Sequence, residues 1–185
     1  MDKRQQIMQA ALELFAKRGY HGTPVSLIAE RAKVGSGTIY RYFKDKDDLV
    51  NTLYRHWKQI IYEQTLKKID PVMPIRSMFH EVCVNFVHFA QQNPNAFIFM
   101  EAHHHSPYLD DASKQVTDKT NTEFLKFIQH GQTHEFIKPG PAELIKSVVF
   151  GIFTEMMKNH WSGAQPLTEE LILQVEEMAW QAIRR

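Results

Sequence analysis

Residues 23–43, running Thr23-Pro24-Val25-Ser26-Leu27-Ile28-Ala29-Glu30-Arg31-Ala32-Lys33-Val34-Gly35-Ser36-Gly37-Thr38-Ile39-Tyr40-Arg41-Tyr42-Phe43, constrain the fold more than any other stretch. They read as two short helices joined by a tight turn. Thr23 is placed to cap the first, with Pro24 at the first helical position, where its missing N–H costs nothing. Leu27, Ile28 and Ala32 make an apolar stripe, and the small Ala29 and Ala32 let a second helix come close. Val34-Gly35 is the break: Gly35 permits a positive φ and Val34 plugs the angle between the helices. Ser36 caps the second helix, Gly37 to Phe43, with Ile39 and Phe43 inward and Ser36, Thr38, Arg41 and Tyr42 outward. The result is a helix-turn-helix whose second helix shows hydroxyl, guanidinium and phenol groups, the chemistry that reaches phosphates and base edges in a major groove. A plain helical hairpin, with Tyr40 and Tyr42 only packing, is the competing reading.

The flanks support a binding head. Ile7, Ala11, Leu14 and Phe15 repeat at helical spacing, so Asp2 to Arg18 forms a helix stopped by Gly19. It closes a three-helix head by burying Phe15, Ile28, Ile39 and Phe43 together. Lys44-Asp45-Lys46-Asp47-Asp48 signals the next start, with Asp45 as cap and three carboxylates complementing the dipole. The net charge of +1 conceals an asymmetry: residues 1–58 hold eleven Lys/Arg and six acids, a net of +5, which leaves −4 for the rest. A basic front and an acidic back suit a head that meets a polyanion and a body that does not.

Residues 7–57 resemble the DNA-binding domain of the TetR family of transcriptional regulators. The resemblance rests on Ile7, Ala10-Ala11, Leu14-Phe15, Gly19-Tyr20, Thr23, Ile28-Ala29, Ala32, Val34, Gly37-Thr38-Ile39-Tyr40, Tyr42-Phe43, Lys46 and Leu49. It departs at Gly35-Ser36, where many members have Ser before another small or polar residue. The resemblance implies that Thr23 and Ser26 hold phosphate through hydroxyls and exposed N–H groups. Ser36, Gly37, Thr38 and Arg41 would form the surface that faces the groove, with Arg41 on guanine. Tyr40 and Tyr42 would reach phosphate or a thymine methyl group, packing against the first helix being an equal role for Tyr40. Lys46 would clamp the backbone. Palindromic double-stranded DNA is the implied partner, and repression the commonest activity.

Beyond the head, the periods read as helices throughout: 47–69, 74–92, 95–102, 110–130, 141–161 and 168–185. With the head this makes about nine helices and no window that alternates with period two, an all-α fold. Asp70-Pro71 breaks the long helix, and Gly131 to Gly140 is a loop or frayed end. Two domains follow: 1–60 for DNA, 61–185 for a ligand and dimerisation. The resemblance implies an effector cavity in the body, and the Phe and Met wealth there suits an apolar or aromatic ligand. Phe86, Phe89, Phe97, Met100, Phe124, Phe127, Phe153 and Met156 are the wall candidates. Two apolar stripes on each closing helix call for one inner and one outer partner. Val148, Ile152, Met156, Val175, Met178 and Trp180 are thus the expected homodimer interface, holding two heads one DNA turn apart.

Other chemistries find little support. Three consecutive histidines, His103 to His105, diverge by about 100° per residue on a helix and cannot converge on one ion. They read as a helix end near the pocket mouth, and no metal or cofactor is expected. No Gly-rich phosphate loop, G-x-S-x-G elbow or H-E-x-x-H is present, so an enzyme is not expected. Cys83 sits among valines as an inert buried thiol. The longest apolar runs are far too short to span a bilayer, and no signal segment opens the chain, which points to the cytoplasm. A helical scaffold whose head meets protein rather than DNA is the alternative from another class.

Overall fold

The computed structural model describes residues 2–67, 69–70 and 72–185. Nine helices account for most of them: α1 (Lys3–Arg18), α2 (Val25–Arg31), α3 (Ser36–Ile39), α4 (Lys46–Thr65), α5 (Ile75–Gln92), α6 (Pro94–His103), α7 (Asp111–Thr133), α8 (Ala142–Trp161) and α9 (Glu169–Ile183). No strand occurs among the described residues, only a single bridge between Ile137 and Arg184. The all-α expectation holds. Pro71, expected to break the long helix, lies outside the described residues.

The chain divides into two compact units. The first holds the chain up to Ile60 and Gln92–Asp118; the second holds Ile61–Gln91 and Lys119–Arg185. In the first, α1 starts on a capping box, Asp2 accepting from the Gln5 N–H at 2.8 Å while Gln5 accepts from the Asp2 N–H at 3.1 Å. It ends at Gly19, whose φ of 66° is the left-handed stop expected there. Phe15, Ile28, Ile39 and Phe43 are all at least 98 % buried, so the three-helix head closes on the residues that the periodicity selected. Burying each is worth about 1.5–3 kcal/mol. Asp45 caps α4 by accepting from the Asp48 N–H at 2.8 Å.

The first unit departs from expectation in three places. The cap of α2 is Pro24, not Thr23. Thr23 is fully buried, and its hydroxyl donates to the carbonyls of Gly19 (2.8 Å) and Leu14 (3.2 Å), tying the α1–α2 link to α1. In the turn of the helix-turn-helix the positive φ belongs to Lys33 (55°), while Gly35 stays at −68° and caps α3. The second helix is also shorter than the stretch to Phe43: α3 is one α-turn, continued by i→i+3 turns that still place Phe43 inward.

The second unit packs α5, α8 and α9 with the ends of α4 and α7. Of the two stripes on α8, Ile145, Val149 and Phe153 face inward, and Leu144 (60 %) and Val148 (38 %) are exposed. Glu176 on α9 is buried, yet it is satisfied: Arg76 and His80 of α5 both donate to it, His80 at 2.7 Å. α4 stops at Thr65 rather than near Ile69, and α7 runs on to Thr133, through Gly131. Gly131 belongs to the helix because Ile137 fills the space its side chain would take, a Cβ there lying 2.5 Å from Ile137 Cδ1. Ile137 is in turn pinned near the C-terminus, Lys138 N–H donating to Ile183 (2.8 Å) and Arg185 N–H to Phe136 (3.0 Å).

Candidate nucleic-acid interface and a cleft in the second unit

The groove-facing candidates form one exposed surface of the first unit. Ser36, Gly37 and Arg41 are exposed and Thr38 is half-exposed; Tyr40 and Tyr42 are 55 % and 43 % exposed. Ile39 and Phe43 anchor this surface from behind. About half of each tyrosine is open to water, which leaves both phenols available for an outside contact. Ser26 is exposed in the first turn of α2. Thr23 is different: its hydroxyl is buried and committed, which removes it from the phosphate contacts.

Lys46 is turned inward. Its ammonium donates to the Tyr20 carbonyl and lies 4.0 Å over the Tyr20 ring, so its structural role is to tie α4 to the end of α1. Partial burial holds its pKa below the ordinary lysine value, against the pull of Asp47. The Tyr20 hydroxyl donates to Asp47 and its ring stacks on Tyr108 at 4.1 Å. Desolvation, then the Asp47 carboxylate, pushes that phenol up to about 12.

Behind the head lies a polar brace that the sequence reading did not single out. Asn51, 2 % exposed, uses all its hydrogen-bonding capacity. Its amide donates to the carbonyls of Asp47 and Tyr108 (both 2.8 Å), and its oxygen accepts from the Asp110 N–H (2.9 Å) and the Ser113 hydroxyl (2.8 Å). Arg55 adds a two-pronged contact to Asp110 at 2.8 and 3.0 Å. A polar residue at an inward α4 position was the only available signal, and three of its four partners are 57–62 residues away.

Within this unit His103 parts from His104 and His105, whose rings lie 4.2 Å apart. His103 is buried, its Nδ1–H donating to the Phe99 carbonyl at 2.7 Å, while His105 is exposed. Nε2 of His103 has no hydrogen-bond partner among the described residues. None of the three lines the cleft described next, so the expected pocket-mouth position is not theirs.

That cleft, of about 390 Å³, lies within the second unit. Tyr62, Leu66, Ile69, Met78 and Val82 make its apolar side, and α7 closes it with Glu123, Lys126, Phe127 and His130. Of the expected wall residues only Phe127 is there. Phe86, Phe89, Phe124, Phe153 and Met156 are packed into the core of this unit, and Phe97 and Met100 belong to the first. Large flat side chains fill space so well that they become core, and the cleft opens where smaller aliphatic groups meet a polar helix face. The i, i+3, i+4, i+7 spacing of residues 123, 126, 127 and 130 was the missed signal. The interface candidates divide too: Met178 (66 %) and Val148 are exposed, Ile152, Val175 and Trp180 half-buried, while Met156 is buried and cannot serve.

Residues 57–185 match the model of the tetracyclin repressor-like C-terminal domain, and residues 7–53 that of the bacterial regulatory proteins of the tetR family. The chain belongs to the TetR family. It is a helix-turn-helix transcriptional regulator, as the resemblance of residues 7–57 implied. Among its relatives, an uncharacterized HTH-type transcriptional regulator of Haemophilus influenzae is 27% identical over 189 residues, covering 100% of this chain and 97% of that one. A TetR family regulator of Marinobacter aquaeolei shares the fold with a TM-score of 0.89 at 21% identity, over 98% and 95% of the two chains. FadR of Bacillus subtilis, solved in complex with stearoyl-CoA, shares it with a TM-score of 0.70 at 22% identity, over 96% and 95%. No helix among the described residues is long and apolar enough to cross a membrane.

Proposed function

We propose that this TetR-family regulator works as a cytoplasmic homodimer that binds a palindromic operator, represses, and is released by a small-molecule effector. Residues 1–60 meet DNA and 61–185 hold the effector and the dimer contacts; the chain acts by binding, not by catalysis. The observation that carries the reading is the exposed surface of Ser36, Gly37, Thr38, Tyr40, Arg41 and Tyr42 on a turn braced by Ile39 and Phe43. Arg41 reads a guanine, the tyrosines and Ser36 and Thr38 supply phosphate and base-edge contacts, and Ser26 takes a phosphate. Lys46 serves by holding Tyr20, not as a free clamp.

The exposed Leu144 and Val148 of α8 and Leu173 and Met178 of α9 support a two-fold interface of four helices. The cleft of the second unit supports an effector site, as does a fold-mate crystallised with stearoyl-CoA. The effector favours an arrangement of the dimer whose heads no longer match successive major grooves.

The test is fluorescence anisotropy with the duplex upstream of the protein's own coding region against an unrelated duplex, across a salt series. We expect preferential binding with a steep salt slope, weakened about tenfold or more by Arg41→Ala. Binding to every duplex alike, untouched by Arg41→Ala and by salt, would sink the reading. Met178→Glu should shift sedimentation from dimer to monomer.

A further inference from the structure

The cleft of the second unit is two-sided, and its two sides differ in chemistry. Every lining group that can carry charge at neutral pH comes from α7, Glu123, Lys126 and His130, and the one polar group opposite is the Tyr62 phenol. The opposite side, from Tyr62 to Ile69 and from Met78 to Val82, carries no charge. Resting on the proposed effector role of this cleft, we infer that its ligand is a single-chain amphiphile with an anionic carboxylate head, a fatty-acid-type molecule. The chain lies along Leu66, Ile69, Met78 and Val82, and the head is held by Lys126 and His130.

The volume and the lining set the class. About 390 Å³ sits within the roughly 300–1,000 Å³ range of ligand sites. The polar groups span residues 123–130 along α7, about 10 Å at ~1.5 Å per residue. An aliphatic side facing a charged one suits an amphiphile, its chain on the first and its head on the second, better than a uniformly apolar ring system.

Charge selects the head. Lys126 is paired with Glu123 one turn earlier on the same helix at 2.8 Å. Its ammonium has three donors and uses one there. A ligand carboxylate is met by the remaining donors and by the His130 ring, while Glu123, with its side chain 37 % exposed, is free to turn to water. An ammonium head would find one carboxylate, already paired, and a permanent positive charge beside it. A neutral hydroxyl can accept from one of those donors, but without the charge the bond is weaker. Carboxylate is therefore favoured over alcohol, and alcohol over ammonium.

The inference makes a sign-reversing prediction. Isothermal titration of the full-length protein would use dodecanoate, dodecanol and dodecyltrimethylammonium, each below its micelle concentration. Dodecanoate should bind about tenfold more tightly than dodecanol. Lys126→Gln should weaken dodecanoate about three- to tenfold, and Glu123→Gln should tighten it by a few-fold, with neither moving dodecanol. Both side chains are on the surface side of α7, so both variants fold. Leu66→Trp, at a half-buried wall position, should remove binding of all three. Absence of dodecanoate binding, equal binding of the alcohol, tighter binding of the ammonium, or a Lys126→Gln variant indistinguishable from the parent would overturn the assignment. Operator release is measured in the same samples. Carboxylate binding that leaves the operator occupied would confirm the ligand class and defeat the effector role. Operator release by one of the other two heads, with no dodecanoate binding, would do the reverse.

Discussion

The two units of the chain are held together in different ways. Around an apolar core the first adds many directional contacts: the Asn51 brace, the Tyr20–Asp47–Lys46–Tyr108 cluster and the Thr23 hydroxyl. The second has one such buried group, Glu176 held by Arg76 and His80, and otherwise packs by bulk, with Val149, Phe153, Met156 and Met157 of α8 buried, and Phe86, Phe124 and Phe150 in ring contact. Hydrogen bonds with fixed angles set positions to within fractions of an ångström, whereas thioethers and rings repack with small losses. A surface that must match the spacing of base edges needs the first kind of construction. A unit that opens a cleft tolerates the second, and the proposed effector response would draw on it.

The largest expected effect that tests this contrast is Phe15→Ala. It should cost about 3–5 kcal/mol in denaturant unfolding, because the ring is fully buried against Phe99 and Tyr20. Amides of α1 and α6 should lose hydrogen-exchange protection first; an equal early loss across α8 and α9 would erase the distinction between the units. Asn51→Ala comes next, at about 2–3 kcal/mol, since the buried Ser113 hydroxyl and three part-buried backbone groups lose this partner at once. Asn51→Asp should recover little, because its carboxylate has no donor for the Asp47 and Tyr108 carbonyls. In the second unit, Gly131→Ala pushes on Ile137, itself 1 % exposed, and should cost about 1–2 kcal/mol. A smaller loss there would show the second unit to be as yielding as its composition suggests.

The smallest effect is a pH dependence. Desolvation holds the His103 imidazole below its ordinary 6.5, outweighing the Phe99 carbonyl bond that pulls it up. The unfolded chain therefore takes up the proton first. Stability is full above pH 6.5 and declines as the pH falls below it. His56, lowered by desolvation and by Arg4, adds a slope of the same sign. Unfolding followed between pH 7 and 5 should show His103→Leu with a reduced slope, not a flat line. An unchanged slope would place the titrating group elsewhere.

How much of this was readable from the chain depends on the range of the contacts. The head was: Ile7 to Phe15, Ile28, Ile39 and Phe43 lie within one compact segment, and local spacing together with caps fixes their faces. The cleft was not. Periodicity shows that α8 has two apolar stripes but not that Ile145, Val149 and Phe153 are the inner one, because the partner lies far along the chain. The Phe and Met content of the body, read with the family resemblance, pointed to large aromatics as walls, and Phe86, Phe89 and Phe153 are core instead. The charged residues of α7 carry no local sign of a lining role, since only the end of α4 and the start of α5 make them one. Thr23 was misread for a similar reason: an N-cap signature cannot reveal that Leu14 and Gly19 already hold the hydroxyl.

The make-up of the first unit bears on how such regulators can be rewired. Its chain is interrupted, Gln92–Asp118 returning to complete what the first sixty residues begin. A hybrid that grafts only residues 1–60 onto a foreign sensor would strand Phe15 without Phe99 and Asn51 without Tyr108, Asp110 and Ser113. A functional graft therefore needs two crossover segments, and specificity transplanted with one should yield a poorly folded reader rather than a retargeted one.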